Sequence, residues 1–292
     1  MTSEIKQDDT PREAPADNQP VIRVRDLVKT FDRRVLDGVN LDVRKGEMMV
    51  IMGGSGCGKS TLLRHMIGSL QPDSGRVELF GLNINELNNE QLDEVRKRFG
   101  ILFQSGALFN SMTVGENVSL PLREHTDLDD DTIDIMVRIK LELVGMRHAV
   151  NLMPAQLSGG MKKRAGLARA IALDPEILFY DEPSAGLDPV TSAEIDQLMI
   201  DLAQKLGVTT VVVTHEMDSA FRIADRMAML DRGQMLKIAI REEFERIRDS
   251  DPTGDYTSDL IRQFLRGDSE GPLTHRRKNS GYERDILDAA GQ

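Results

Sequence analysis

From Val21 to Val28 apolar and polar residues alternate, which is the period of a strand with one face buried. Two more candidate strands precede Met48, where the pattern changes to a short, continuous apolar run, Met48–Met52. Such a run fits a strand buried on both faces. A Gly-rich turn follows, and then a helix predicted from Lys59 to about Leu70. Gln71-Pro72-Asp73-Ser74-Gly75 has the composition of a turn. Between Gly106 and Leu157 the period becomes helical: Ile133, Met136, Val137, Leu141 and Val144 share one face. The acidic run Asp127–Asp131 precedes that helix. It reads as a cap with favourable charge at the helix dipole, and it lacks the glycine and terminal glutamate of a calcium loop. After Ser158 a helix is predicted to about Ala172, then strand Ile177–Tyr180, another helix and strand Val208–Thr214. Strands alternating with helices imply an α/β fold with a mostly parallel, helix-covered sheet.

The two ends read differently. Met1 to Pro20 is charged, Pro-rich and aperiodic, as a disordered tail is. From about Asp249 the pattern weakens. Ile261, Phe264 and Leu265 suggest one short amphipathic turn, and Gly267 to Gln292 reads as a polar tail. The expected organisation is a tail over 1–20, one domain over 21–248 with a helical part at about 106–165, and a partly disordered extension over 249–292. A chain of 292 residues accommodates this.

Charge and composition narrow the function. The net charge of −11, the absence of Trp and the 4% aromatic content argue against a nucleic-acid partner. Cys57 is the single cysteine, so no intrachain disulfide is possible and a reducing compartment fits. The start lacks the apolar core of a signal peptide. No stretch approaches the roughly 18–20 apolar residues that span a bilayer. If the chain works at a membrane, a partner must hold it there.

Gly53-Gly54-Ser55-Gly56-Cys57-Gly58-Lys59-Ser60 fits G-x-x-x-x-G-K-[ST], after an apolar strand and at the start of a helix, which is the context that motif needs. Glycines let successive N–H groups point at phosphate oxygens, and the helix N-terminus adds partial positive charge. Lys59 is expected to reach the β- and γ-phosphates of a nucleotide, Ser60 to ligate Mg²⁺, and Thr61 to touch the α-phosphate. Ile177-Leu178-Phe179-Tyr180-Asp181-Glu182 then places two carboxylates at the C-terminal end of a strand, where ligands sit in open α/β sheets. Asp181 would help hold the metal, and Glu182 would polarise the attacking water as general base.

Further segments carry a family resemblance. Leu157-Ser158-Gly159-Gly160-Met161 looks like the signature sequence of ATP-binding cassette (ABC) ATPases, Gln104 like their Q-loop residue, His215 like their switch histidine, and Ser184-Ala185-Gly186-Leu187-Asp188 like their D-loop. The order and spacing agree from about Val21 to Leu236. Met161 departs from the common Gln; Ser158 and Gly160 remain. The resemblance implies a P-loop NTPase fold of the ABC nucleotide-binding type, with a mixed sheet core, an antiparallel β subdomain and a helical subdomain. It implies ATP and Mg²⁺ as cofactors and a homodimer in which Ser158, Gly159 and Gly160 of one copy close over ATP held by the other. By the same resemblance His215 contacts the γ-phosphate and orients Glu182, Gln104 contacts Mg²⁺ or water, Asp188 sits at the dimer interface, and Phe31 stacks on adenine. Phe31 is otherwise an ordinary core residue. Cys57 is either a small tolerated residue or, near Lys59 and a helix N-terminus, a thiol with a depressed pKa.

One cassette without inserted coiled coils resembles a subunit clamped to a membrane permease. Phe103 to Phe109, Pro121 to Thr126, Leu157 to Ile171 and Gln263 to Gly267 with Gly271-Pro272 resemble the ATPases of the Mla-type (MCE-associated) phospholipid and organic-solvent-resistance transporters. This branch implies a peripheral place on the cytoplasmic face of the inner membrane, a permease, a periplasmic MCE-type lipid-binding protein and glycerophospholipid cargo. A polar-solute importer ATPase and a non-transport cassette regulator are the alternatives.

Overall fold

The computed structural model describes residues 20–274. Residues 1–19 of the expected N-terminal tail and the end of the extension lie outside the described residues, and Pro20 begins a strand.

Two sheets organise the chain. Strands β1 (Pro20–Thr30), β2 (Arg34–Arg44), β4 (Ser74–Leu79) and β5 (Leu82–Asn83) form an antiparallel sheet in the order β2-β1-β4-β5. One strand, not two, separates the first alternating run from Met48. The alternation in β1 buries Ile22 and Val24 and then slips, so that Leu27 is the next buried side chain. A register shift between Val24 and Leu27, with Asp26 at φ 48°, absorbs the slip as a bulge.

The second sheet has six strands: β3 (Met48–Met52), β6 (Phe99–Leu102), β7 (Ile177–Asp181), β8 (Thr209–Thr214), β9 (Arg226–Asp231) and β10 (Gln234–Ile240). Its order is β10-β9-β3-β8-β7-β6, parallel except where β10 meets β9. All five residues of β3 are buried because both faces are covered. Met48, Val50 and Met52 join one apolar cluster, while Met49 and Ile51 join the other. Each such side chain contributes roughly 1.5–3 kcal/mol by leaving water.

The cluster on the Met49 face joins the antiparallel sheet with α1 (Lys59–Met66) and α2 (Asn89–Arg96). The other face carries α3 (Val114–His125), α4 (Asp130–Leu143), α5 (Gly159–Ala170), α6 (Pro189–Leu206), α7 (Met217–Ile223), α8 (Arg241–Asp249) and α9 (Tyr256–Arg266). On α4 the expected apolar face is buried at Ile133, Val137 and Leu141, with Met136 half-buried. Asp129 caps that helix by accepting from the Thr132 N–H, so the acidic run acts as a cap.

Order does not weaken at Asp249. Instead of a single turn, α9 has 11 residues, and Leu260, Ile261 and Leu265 enter the same core as the sheet. Its amphipathic period is clear once Leu260 is counted with Ile261 and Leu265. Buried Gln263 then pins the chain beyond α9: its Nε2 donates to Asp268 O and Thr274 Oγ1, and its Oε1 accepts from the Leu273 N–H.

Candidate nucleotide site

Three neighbouring strands end side by side. Met52 of β3 is paired with Thr214 of β8, and Asp181 of β7 with Val213 of β8. The chain leaving each strand therefore arrives at one edge of the sheet: Gly53 from β3, His215 from β8 and Glu182 from β7.

The loop Gly53–Gly58 is shaped by close backbone approach. A side chain at Gly53 would meet Leu230 O at 2.1 Å, and one at Gly58 would meet Val35 O at 2.9 Å. Both residues also have positive φ, 153° and 114°, which glycine tolerates without strain. Gly58 caps α1 without any side-chain hydrogen bond, so the first N–H groups of the helix have no side-chain acceptor. Gly54, Ser55 and Gly56 form the open lip, with Ser60 exposed and Thr61 half-buried at the start of the helix. The Lys59 ammonium is turned into the loop, donating to Gly53 O at 2.7 Å and Gly54 O at 3.2 Å.

The oxygen groups expected to hold a metal meet here. Ser60 Oγ donates to Asp181 Oδ1 at 3.3 Å. Burial raises the Asp181 pKa; the Ser60 hydrogen bond opposes this and the neighbouring Glu182 charge reinforces it. A cation would relieve that pair of carboxylates. One hydroxyl and one carboxylate suit Mg²⁺, which keeps several waters and takes phosphate oxygens. Glu182 Oε2 is 2.8 Å from His215 Nδ1, with Glu182 largely shielded and His215 more than half exposed. Glu182 also has φ 51°, a left-handed conformation that costs an L-residue about 1–2 kcal/mol. Its backbone is held by the bond from its N–H to Val213 O at 2.9 Å.

Phe31 lies on the β1–β2 turn and is 54% exposed, so it is not a core residue. That turn adjoins the phosphate loop: Arg33 reaches to 4.0 Å of the point where a Cβ on Gly56 would stand. An arginine on this turn is a candidate phosphate contact that the motif spacing did not reveal.

Cys57 does not face the loop's open side. It is 6% exposed and packs in the apolar cluster beneath the loop. Burial raises its pKa, outweighing the nearby Lys59 charge. The expectation of a depressed thiol pKa is therefore corrected; the small tolerated residue fits.

Ser158, Gly159, Gly160 and Asp188 form a second group. Ser158 caps α5 by accepting from the Met161 N–H at 3.3 Å. A side chain on Gly160 would stand 2.6 Å from Thr191 Cγ2, and Thr191 Oγ1 donates to Asp188 Oδ2 at 2.6 Å. Asp188 also accepts from the N–H groups of Val190 and Thr191, capping α6. The signature and D-loop segments thus adjoin one another, and the Ser158 and Asp188 side chains bond to their own helices.

Gln104 is exposed, and the structure ties it to the cluster through its backbone: Lys163 donates to Gln104 O and, at 3.1 Å, to Glu182 O. Lys163 is 4% exposed. Burial lowers its pKa, opposed by the charges of Glu216, Glu182 and Asp181. Sequence reasoning passed over it. The available signal was position: Lys163 falls on the buried stripe of α5 with Gly160 and Leu167.

A phosphate loop, paired carboxylates and a histidine on aligned strands, with a capped signature helix on a helical layer, define an ATP-binding cassette ATPase. The family model described as ABC transporter matches residues 36–185, and the chain belongs to that family. It is 40% identical over 272 residues to the intermembrane phospholipid transport system ATP-binding protein MlaF of Haemophilus influenzae, spanning 93% of this chain and 100% of that one. It is 42% identical over 255 residues to the probable ribonucleotide transport ATP-binding protein mkl of Mycobacterium leprae, spanning 86% of this chain and 70% of that one. Among solved structures, the dimeric post-hydrolysis ATP-binding cassette MJ0796 bound to ADP and Pi matches with a TM-score of 0.70 and 31% identity, covering 75% of this chain and 98% of that one.

Proposed function

We propose that this chain is the ATP-hydrolysing subunit of a phospholipid transporter, working as a homodimer with ATP sandwiched between copies. The observation that carries the ATPase chemistry is the convergence of Lys59, Ser60, Asp181, Glu182 and His215 on one sheet edge. In this reading the N–H groups of Gly53–Gly58 and the Lys59 ammonium bind the phosphates, with Thr61 beside them. Phe31 offers its exposed face to adenine. Glu182 accepts a proton from the attacking water, and His215 fixes the carboxylate and meets the γ-phosphate. Ser60, Asp181 and Gln104 are the groups for Mg²⁺, which when bound neutralises charge on the β- and γ-oxygens. Ser158, Gly159 and Gly160 of the second copy supply the anion site that closes over the nucleotide, and Asp188 lies beside them at the interface.

Lipid as cargo is supported by the full-length similarity to the MlaF protein of Haemophilus influenzae. No helix among the described residues is long and apolar enough to cross a membrane; in this reading a permease carries the cargo. A groove beside the Gln104 loop is lined by Ile67, Phe99, Phe103, Pro121, His125 and Arg169. Phe103 there is 40% exposed, and the groove suits a permease segment with an apolar face. In this reading the chain sits peripherally on the cytoplasmic face of the inner membrane, and an MCE-type protein receives the lipid beyond it. The similarity to the ribonucleotide-transport protein favours a second reading, a polar-solute transporter. The discriminating experiment is co-purification with the permease followed by mass spectrometry of bound small molecules. Co-purified glycerophospholipid supports the first reading; nucleotide-derived cargo with no lipid supports the second.

A further inference from the structure

Helix α5 does more than present Ser158. Its buried side grips the segment after β6 by three backbone carbonyls. Arg169 donates to Ala107 O at 2.8 Å and Gly106 O at 3.1 Å, and Lys163 donates to Gln104 O. The packing leaves no slack: a side chain on Gly166 would meet Gly106 O at 2.9 Å, and one on Gly106 would meet Lys162 O at 3.0 Å. Ala107 has φ 48°, so the gripped segment is bent into a conformation it would not hold alone.

Lys163 differs from Arg169 in having a second target. The same ammonium donates to Glu182 O, on the residue whose carboxylate meets His215. Glu182 has φ 51°, so its backbone direction depends on what holds its two peptide groups. Val213 O holds the N–H side, and the carbonyl side accepts from Lys163 at 3.1 Å and from the Ala185 N–H at 3.3 Å, so that Lys163 is its one partner from outside the local turn. The φ/ψ of Glu182 sets where its carboxylate points. An ammonium that joins two carbonyls therefore transmits the position of the Gln104 segment to the base.

We propose that Lys163 is a positioning residue for hydrolysis: from the signature helix it locks the Gln104 loop to the backbone of Glu182 and so aims the Glu182 carboxylate. ATP binding, which rests on the phosphate loop, does not pass through this link. The proposal rests on Glu182 being the base, as read above.

The test compares Lys163→Met, which keeps the stem and removes every donor, with Lys163→Arg, which keeps two donors for the two carbonyls. Both are full-length chains, measured beside wild type and Glu182→Gln. In Lys163→Met, kcat for ATP is expected to fall by about 100-fold, the order expected for a misplaced catalytic group. Its affinity for a fluorescent ATP analogue should stay within about twofold, because a loss confined to the transition state leaves ground-state binding unchanged. Amide hydrogen exchange should quicken over 103–107 and 182–185, leaving the 53–60 loop unchanged. Lys163→Arg should restore most of the rate and the protection. A folded Lys163→Met chain with near-wild-type kcat overturns the proposal, as does parallel loss of ATP affinity and rate. If Lys163→Met does not fold, Lys163→Arg decides: wild-type-like exchange over both segments with turnover within about threefold of wild type supports the link, and a folded but inactive Lys163→Arg chain overturns it. Turnover by Glu182→Gln at the wild-type rate would instead remove the reading of Glu182 on which the proposal stands.

Discussion

The helix N-termini of α1 and α5, both assigned to phosphate in the proposed reading, are built in opposite ways. At α1 the cap is Gly58, no side chain fills it, and the loop before it curls around the Lys59 ammonium. The oxygens for a metal and the Glu182–His215 pair stand beside it. At α5 the cap is Ser158, exposed, with its oxygen on the Met161 N–H and glycines at the next two positions. The same partial positive charge exists at both ends. Only the first is surrounded by groups that can do chemistry. In the proposed reading the first binds nucleotide within one chain, whereas the second acts when another chain's nucleotide meets it.

The comparison breaks most sharply at the base. Glu182→Gln keeps shape and loses the proton acceptor, so turnover should drop by about 10²–10⁴-fold, the usual worth of general acid–base catalysis. Nucleotide binding should persist, and gel filtration with Mg·ATP should show a trapped dimer. Wild-type turnover would remove Glu182 from its role. The second end is tested by crowding it. Ser158→Arg alone should be nearly inactive, and so should Lys59→Ala alone. Mixed, the two chains place both lesions in one composite site and leave the other intact, so ATPase activity should partly return. Absence of rescue would argue that the ends do not meet across a dimer or that both sites must fire together.

Binding at the first end rests on Lys59. Lys59→Ala removes a charge-assisted contact of about 1.5–3 kcal/mol, or roughly ten- to a hundredfold in ATP affinity by calorimetry. Unchanged affinity would mean that the ammonium does not reach the phosphates. Cys57 gives a smaller effect. Because its thiol is buried below the loop with a raised pKa, a thiol reagent should label native protein slowly, at the same rate with and without Mg·ATP, and Cys57→Ala should remain active. Fast labelling blocked by Mg·ATP would place the thiol on the nucleotide side.

The smallest effect concerns the cap beside the second end. Hydrogen bonds from Thr191, through its hydroxyl and N–H, hold the Asp188 carboxyl below its usual range. A depressed folded pKa means that the cap stabilises the protein above the unfolded carboxylate value of about 4 and is lost as pH falls through the folded value. Melting should therefore shift down on acidification, and Asp188→Asn, which keeps an acceptor oxygen without titrating, should show a smaller shift. An identical acid shift in both proteins would assign the loss to other carboxylates.

Much of the site was legible because its determinants are local. A glycine spacing after an apolar run specifies a phosphate loop, since only short-range backbone geometry is needed. Two carboxylates after Ile177–Tyr180 announce a strand end. Phe31 was legible only as a pair of alternatives, and its exposure removes the core one. Lys163 was hidden in a basic run, because a lysine's ordinary place is the surface. Cys57 was likewise legible only as two alternatives, of which burial removes the activated thiol. Its neighbours in sequence suggested positive potential, whereas desolvation, a property of the packed interior, sets the direction.

Sequence alone determined the strands and helices that flank the loop, the signature and the two carboxylates, the composition of those motifs, and the family, all of which depend on residues a few positions apart. The tertiary structure decided the strand order that seats β8 between β3 and β7, and with it the meeting of residues 53, 182 and 215. It decided that α9 belongs to the core and that one buried ammonium joins two distant loops. Those outcomes come from which apolar faces cover each other. That is a choice among long-range packings, and short-range pattern does not encode it.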